Sequence, residues 1–184
     1  MKKFLSSLII LSVIMVMPAS TAQEKAVKME LPGLTNFYKI SEDFYRGAMP
    51  SEEGLKQLKK LGIKTIINLQ TFHSDRSKIE GKIPELKYVH IVMQAWRTED
   101  KDTVQFIKII KDKKNLPAFI HCFHGSDRTG MMNAIYRIFF QGWSKEKAID
   151  EMRNGGFGFH AEFENLIDYL KKLDVEKMKK ETGL

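Results

Sequence analysis

The sequence predicts one α/β domain with a mainly parallel central sheet flanked by helices. Two observations carry this expectation. Short apolar, β-branched runs (Ile63–Leu69, Leu86–Met93 and Pro117–His121) alternate with helical stretches of about ten residues or more, the pattern of βαβ units. A length of 184 residues, with 43% hydrophobic and 29% charged side chains, suits a single folded domain. That balance excludes a disordered chain, a collagen and a coiled coil.

The elements follow in order. Lys2 and Lys3 precede the apolar run Phe4–Met17, and Pro18-Ala19-Ser20-Thr21-Ala22 places small residues at Ser20 and Ala22. Residues 1–22 therefore read as a secretory signal peptide cut after Ala22. The run is shorter than the ~20 residues of a bilayer span, so no stable membrane span is expected after cleavage. No cysteine follows the run, which excludes a bacterial lipoprotein. Residues 23–184 form the domain, with a core at about 37–175. The expected location is periplasmic or secreted.

Gln23–Thr35 is a loose lead-in. Phe37–Ile40 and Phe44-Tyr45 have strand character. Ser51 caps a helix carrying Leu55, Leu58 and Leu61 on one face and stopped by Gly62. Ile63–Leu69 is a buried strand, and Gln70–Pro84 is polar, with room for one helical turn. Leu86–Met93 is a further strand, in which His90 is structural, and Trp96–Lys101 is a loop. Asp102 is expected to cap a helix to Lys113. Pro117–His121 is the next buried strand, followed by a seven-residue loop and a helix over 128–141. Ser144 caps a helix to Arg153, which Gly155-Gly156 breaks. One last helix carries Phe163, Leu166, Ile167, Leu170 and Leu173, and its lysine-rich tail is a solvated face.

The net charge is +7, and +5 without Lys2 and Lys3, which suits an anionic substrate. Basic and aromatic residues are not interleaved, so no nucleic-acid site is expected. A single cysteine, Cys122, excludes an internal disulfide and a multi-cysteine zinc site.

That cysteine sits in the segment with the most chemistry, Ile120-His121-Cys122-Phe123-His124-Gly125-Ser126-Asp127-Arg128-Thr129-Gly130. A strand–loop–helix turn gathers backbone N–H groups around one point and adds the positive end of a helix, making an anion nest. The substrate-binding residues are then Cys122, Phe123, His124, Gly125, Ser126, Asp127 and Arg128. Gly125 lets the backbone curl, and the Arg128 fork suits two phosphate oxygens. A thiol at the bottom of that bowl is favoured as the thiolate. A thiolate in a phosphate cradle attacks phosphorus, forms a phosphocysteine and is released by water. No metal or other cofactor is needed, and consecutive ligands such as His121, Cys122 and His124 would strain a metal site. Thr129 is a candidate to donate its hydroxyl to the sulfur. His121 is read as a buried organiser of the loop.

Cys122 and Arg128 make C-x(5)-R. With His121, Gly125, Thr129 and Gly130 the string resembles the signature loop of cysteine-dependent protein tyrosine and dual-specificity phosphatases. The resemblance extends over the order of elements from about Phe44 to Leu173. Phe44-Tyr45-Arg46-Gly47-Ala48-Met49-Pro50 looks like the entry segment of small bacterial dual-specificity-like members. Low-molecular-weight phosphatases and arsenate reductases fit less well, because their cysteine loop lies near the N-terminus. The resemblance implies a dual-specificity phosphatase-like fold and hydrolysis of a phosphorylated protein. Phosphoinositide or inositol phosphate hydrolysis on the same fold is the alternative. Two further readings are an inactive phosphate-binding module and rhodanese-like sulfur transfer.

The chain departs from the family at the general acid. The usual aspartate lies roughly 30 residues before the cysteine, and His90–Ala95 contains no carboxylate. Asp100 is the candidate on the neighbouring loop. Asp127 is the second, because Cys-x-x-Gly-x-Asp-Arg resembles the loop of myotubularin-type phosphatases, where the aspartate is proposed as the acid. A carboxylate beside a phosphate dianion favours its protonated form, which suits that role. Its other reading is a partner for loop amides or a neighbouring base. His160, after Gly156-Phe157-Gly158-Phe159, is a candidate to border the pocket and place the hydrolytic water. Trp96 and Arg97 are candidates for the rim, and Arg46 is a candidate to approach the substrate or, preferentially, to form a structural ion pair.

Overall fold

The structure, a computed structural model, describes residues 25–184; the expected signal peptide lies outside the described residues. Six strands form one sheet in the order β1-β2-β3-β6-β4-β5. They are β1 (Val27–Lys28), β2 (Tyr38–Ser41), β3 (Phe44–Gly47), β4 (Thr65–Asn68), β5 (Lys87–His90) and β6 (Ala118–His121). β3, β6, β4 and β5 run parallel, and β1 and β2 add an antiparallel edge. The mainly parallel sheet was legible from the buried runs. β1 was not, because two exposed residues give no periodic signal.

Alternation along each strand sends side chains into two cores. Phe44, Ile67 and Ile120 face one side, with Phe106 and Ile107 of α3 (Asp100–Lys111) and Met131 and Ile135 of α4 (Asp127–Gln141). Tyr45, Ile66 and Phe119 face the other, with Leu55 and Leu58 of α1 (Glu52–Lys60) and Ile79 of α2 (Arg76–Lys82). α5 (Lys145–Asn154), α6 (Glu164–Lys172) and α7 (Val175–Thr182) complete the first side.

The expected caps at Ser51 and Ser144 form: each side chain accepts the amide three residues on, Gly54 at 3.1 Å and Lys147 at 3.2 Å. Asp102 is not a cap. α3 starts two residues earlier, with Glu99 at the cap position and Asp102 buried in the first turn. The single last helix is three pieces: a 3-10 turn over Ala161–Phe163, α6, and α7. The chain breaks at Leu173, and Asp174 caps α7 by accepting the Lys177 amide at 2.9 Å. The basic tail is more than a solvated face, because Met178 is buried and Lys111 donates to the Thr182 carbonyl at 3.1 Å.

α4 springs from the loop that carries Cys122, and α5 holds it in place. Arg137 of α4 is fully buried. It meets Glu151 of α5 through Nε–Oε2 at 2.8 Å and Nη2–Oε1 at 2.5 Å, and its guanidinium lies 4.2 Å from the Trp143 ring centre. Glu151 also accepts from Asn133 at 2.9 Å. Glu151→Ala removes the carboxylate that pairs with a buried guanidinium. The expected loss is about 3–5 kcal/mol, read as a lower urea midpoint. Arg137→Met combined with Glu151→Leu removes both charges and should cost less than the single change.

Candidate active site

The parallel register sets the site. His121, the last residue of β6, pairs with Gly47 at the end of β3 and with Asn68 at the end of β4. The loops after β3, β4, β5 and β6 therefore leave the same edge of the sheet, where ligands bind in open α/β sheets. Residues 122–126 make the tightest of these turns before α4 begins at Asp127.

The carbonyls of this turn are all tied down on its outer side. His121 C=O accepts the Leu69 amide (2.8 Å), Cys122 C=O faces its neighbour's His121 Nδ1 (3.2 Å) and Phe123 C=O accepts the Met49 amide (3.1 Å). His124 C=O accepts Asn36 Nδ2 at 3.0 Å. Gly125 C=O accepts Arg46 Nη2 at 2.7 Å, and Ser126 C=O accepts the Gly130 amide at 2.7 Å. Among the described residues, the amides of residues 123–126 are given to no other protein group. With their carbonyls held outward, these N–H groups are left to an anion on the inner side. The end of the 15-residue α4 adds its dipole.

Gly125 is needed for this path. Its φ is +72°, and a Cβ there would lie 2.4 Å from the Gly47 carbonyl carbon. Arg46 corrects the sequence reading. Among the described residues it forms no ion pair; it lies fully buried beneath the loop, donates to Gly125 C=O and packs its guanidinium 3.9 Å from the Phe157 ring centre. Burial lowers its pKa to about 10, against the opposing pull of Glu151 and Cys122, so it stays cationic at neutral pH.

Cys122 sits at the floor, 2% exposed. Arg128, half-buried, donates from Nη1 to the carbonyls of Leu69 (3.3 Å) and Met93 (3.4 Å), which brace it against the ends of two neighbouring loops. Thr129 Oγ1 is buried and, among the described residues, pairs with no other group, the sulfur included. Phe123 and His124 point outward, their rings 4.8 Å apart edge to face. His121 turns the other way, into the protein, so the three neighbours His121, Cys122 and His124 diverge.

The two carboxylate candidates are differently placed. Asp100 opens α3, where it accepts from Lys177 Nζ (2.6 Å) and Tyr169 OH (3.1 Å). The bond to Lys177 holds its carboxyl below the usual range, so it keeps no proton to give near neutral pH. Asp127 is buried at the start of α4. Its Oδ1 accepts the His160 amide and its Oδ2 meets His160 Nδ1, both at 2.9 Å. His160 stands beside the loop, its ring 5.5 Å from that of His124. The bond to Asp127 raises its pKa.

Three residues here escaped the sequence reading. Asn36, at φ +50°, ties the loop at His124 to the Phe157 carbonyl (2.9 Å). Asn68 donates to Asp75 Oδ2 at 2.9 Å and to the His73 carbonyl at 3.0 Å. Asp75 is fully buried, with Oδ2 3.4 Å from His121 Nε2. Asp75 lies in the polar stretch taken as irregular, and only its preceding position to α2 could have marked it.

Burial pushes the His121 pKa down to about 4, opposed by Asp75. The folded state therefore keeps this ring neutral while the unfolded chain takes a proton near pH 6.5. The stabilisation is complete above that value and is lost as pH falls toward 4, by up to about 3 kcal/mol. Histidine-ring NMR should show His121, assigned with His121→Asn, holding its neutral signal to about pH 4. A ring that titrates above 6.5 would mean that Asp75 holds it charged.

Comparison with known proteins agrees with this geometry. The chain is 31% identical over 163 residues to the dual specificity protein phosphatase TpbA of Pseudomonas aeruginosa, covering 88% of this chain and 72% of that protein. A crystal structure of P. aeruginosa TpbA, with serine for a cysteine and in complex with pTyr, superposes with a TM-score of 0.76 at 27% identity, over 89% of this chain and 99% of that one. An inositol diphosphatase of Arabidopsis thaliana, DSP3, is 27% identical over 145 residues, 73% of this chain and 69% of that protein. The profile of the Tyrosine phosphatase family matches residues 32–182, from before the first long strand to the end of α7. The chain thus belongs to the tyrosine phosphatase family, as a cysteine-dependent phosphatase of the tyrosine and dual-specificity type.

Proposed function

We propose that Cys122 is the nucleophile and Arg128 the phosphate clamp in the hydrolysis of phosphate monoesters on protein substrates, phosphotyrosine foremost. The observation that carries this is the turn of 122–126, whose outward carbonyls are paired and whose amides are free above the buried sulfur. The thiolate attacks phosphorus in line as the ester oxygen leaves. Amides 123–126 and Arg128 hold the equatorial oxygens, whose charge they stabilise best in the transition state. Water then cleaves the phosphocysteine and restores the thiolate. No metal takes part in either step.

The rim supports an aryl phosphate. Phe72, Trp96 and Phe123, on the loops after β4, β5 and β6, are all more than half exposed. Such apolar surface around a recessed sulfur suits a ring standing between it and the main chain of a peptide. The turn has no lysine among Phe123, His124, Ser126 and Asp127, which argues against a densely phosphorylated inositol.

With p-nitrophenyl phosphate, chelator and reductant, wild type should turn over. Cys122→Ser should lose activity by a factor on the order of 10⁴ or more, and Arg128→Lys by about 10²–10³. A phosphotyrosine peptide should surpass inositol polyphosphates in kcat/KM; the reverse order would favour the inositol phosphate reading. Vanadate binding without turnover in wild type would make the chain a binding module.

We further propose that the chain is exported and cleaved after Ala22. The basic start, the apolar run Phe4–Met17 and the small residues Ser20 and Ala22 support this. No helix of the described residues is long and apolar enough to cross a membrane. The mature protein, recovered from a bacterial host, should begin at Gln23 by intact mass; retention of Met1 in an exported fraction would count against cleavage.

A further inference from the structure

On the reading that Cys122 is the nucleophile, we propose that His160, held by Asp127, is the acid that protonates the leaving oxygen and then the base that activates water. The stretch where the family carries its acid, His90–Ala95, has no carboxylate. Asp100 is committed to Lys177 and Tyr169. Asp127 has both oxygens engaged by one residue, the amide and the ring Nδ1 of His160. That leaves His160 Nε2, on a ring 40% exposed and 5.5 Å from the His124 ring of the loop.

The segment carrying His160 is fixed to the cradle at three points. Asn36 bridges the Phe157 and His124 carbonyls. Gly158 packs so near Ser126 that a Cβ would lie 3.3 Å from its Oγ. The His160 amide binds Asp127, the neighbour of Arg128. A carboxylate on Nδ1 orients the imidazole and supports its charged form, as in other carboxylate–histidine pairs. The titratable groups facing the ring are Asp127 from α4, Glu162 from its own segment and His124 from the loop; the two carboxylates favour the imidazolium.

The proton balance closes. As the P–O bond breaks and the S–P bond forms, the leaving oxygen takes the proton of His160 Nε2. In the second step water attacks phosphorus and gives a proton to the now neutral Nε2. Phosphate departs, the sulfur regains its electron pair, and His160 is charged again. Asp127 is a positioning residue throughout.

The test compares two esters that differ in leaving ability. His160→Gln should lose about 100-fold in kcat/KM on phenyl phosphate, and less than tenfold on p-nitrophenyl phosphate, whose leaving group needs no acid. Asp127→Asn should move the basic limb of the pH profile to lower pH, because the partner that raises His160 is neutralised. Independently of either variant, the NMR titration of His160 in wild type should coincide with that basic limb. Equal losses on both esters, an unmoved limb or an NMR midpoint away from the limb would each overturn the assignment. In those cases a wild type active on p-nitrophenyl phosphate, beside inactive Cys122→Ser, leaves the nucleophile standing; no turnover in wild type removes both.

Discussion

A turn can aim several amide groups at one point only if the carbonyls between them find partners elsewhere. Buried carbonyls without donors would cost more than the cradle gains, and the turn would rotate its peptides to recover them. In this protein the six carbonyls from His121 to Ser126 meet Leu69 after β4, the His121 ring, Met49 after β3, Asn36, Arg46 and Gly130 of α4 in turn. The anion site is the inner face of that outer accounting. The sheet register, the buried guanidinium and the left-handed glycine all serve it.

The two arginines of the site divide the work. Arg46 spends its charge on the protein, pinning Gly125 from beneath and resting on Phe157. Arg128 is braced at one end by carbonyls of two loops, and phosphate is the proposed partner of the rest of its fork. Arg46 keeps its charge at neutral pH, so the support beneath Gly125 stays cationic. The neutral His121 contributes orientation and no charge. Groups that must change protonation are thereby kept at the rim, and groups that must not are kept beneath.

Much of this was legible from residue order. The buried strands, the caps at Ser51 and Ser144 and the helix after the cysteine loop all follow from local periodicity and local hydrogen bonds. The candidate loop was legible because its residues are contiguous. What escaped is long-range. Arg46 meets Gly125 across 79 residues, and Asn36 meets His124 and Phe157 across 88 and 121. No pattern in a window of sequence encodes such pairs, and an arginine on a buried strand reads by default as half of an ion pair. The break at Leu173 was missed for the opposite reason: apolar spacing runs on through it, and only Asp174 marks the new start.

The tie at Asn36 has a bearing on what counts as the smallest autonomous unit. The obvious fragment would run from the entry strand Phe44–Gly47 to the last helix, since it holds every residue of the signature. That fragment would lack Asn36, the donor that anchors both the His124 carbonyl and the Phe157 carbonyl of the stretch that carries His160. It would also lose the Thr35 carbonyl, which accepts the Ala48 amide behind Gly47. The stretch around Thr35 and Asn36, the least patterned part of the described chain, is thus a support of the cysteine loop. Any shortening, permutation or fusion of this chain meets its real boundary before Thr35, well ahead of the first residue that chemistry alone would mark.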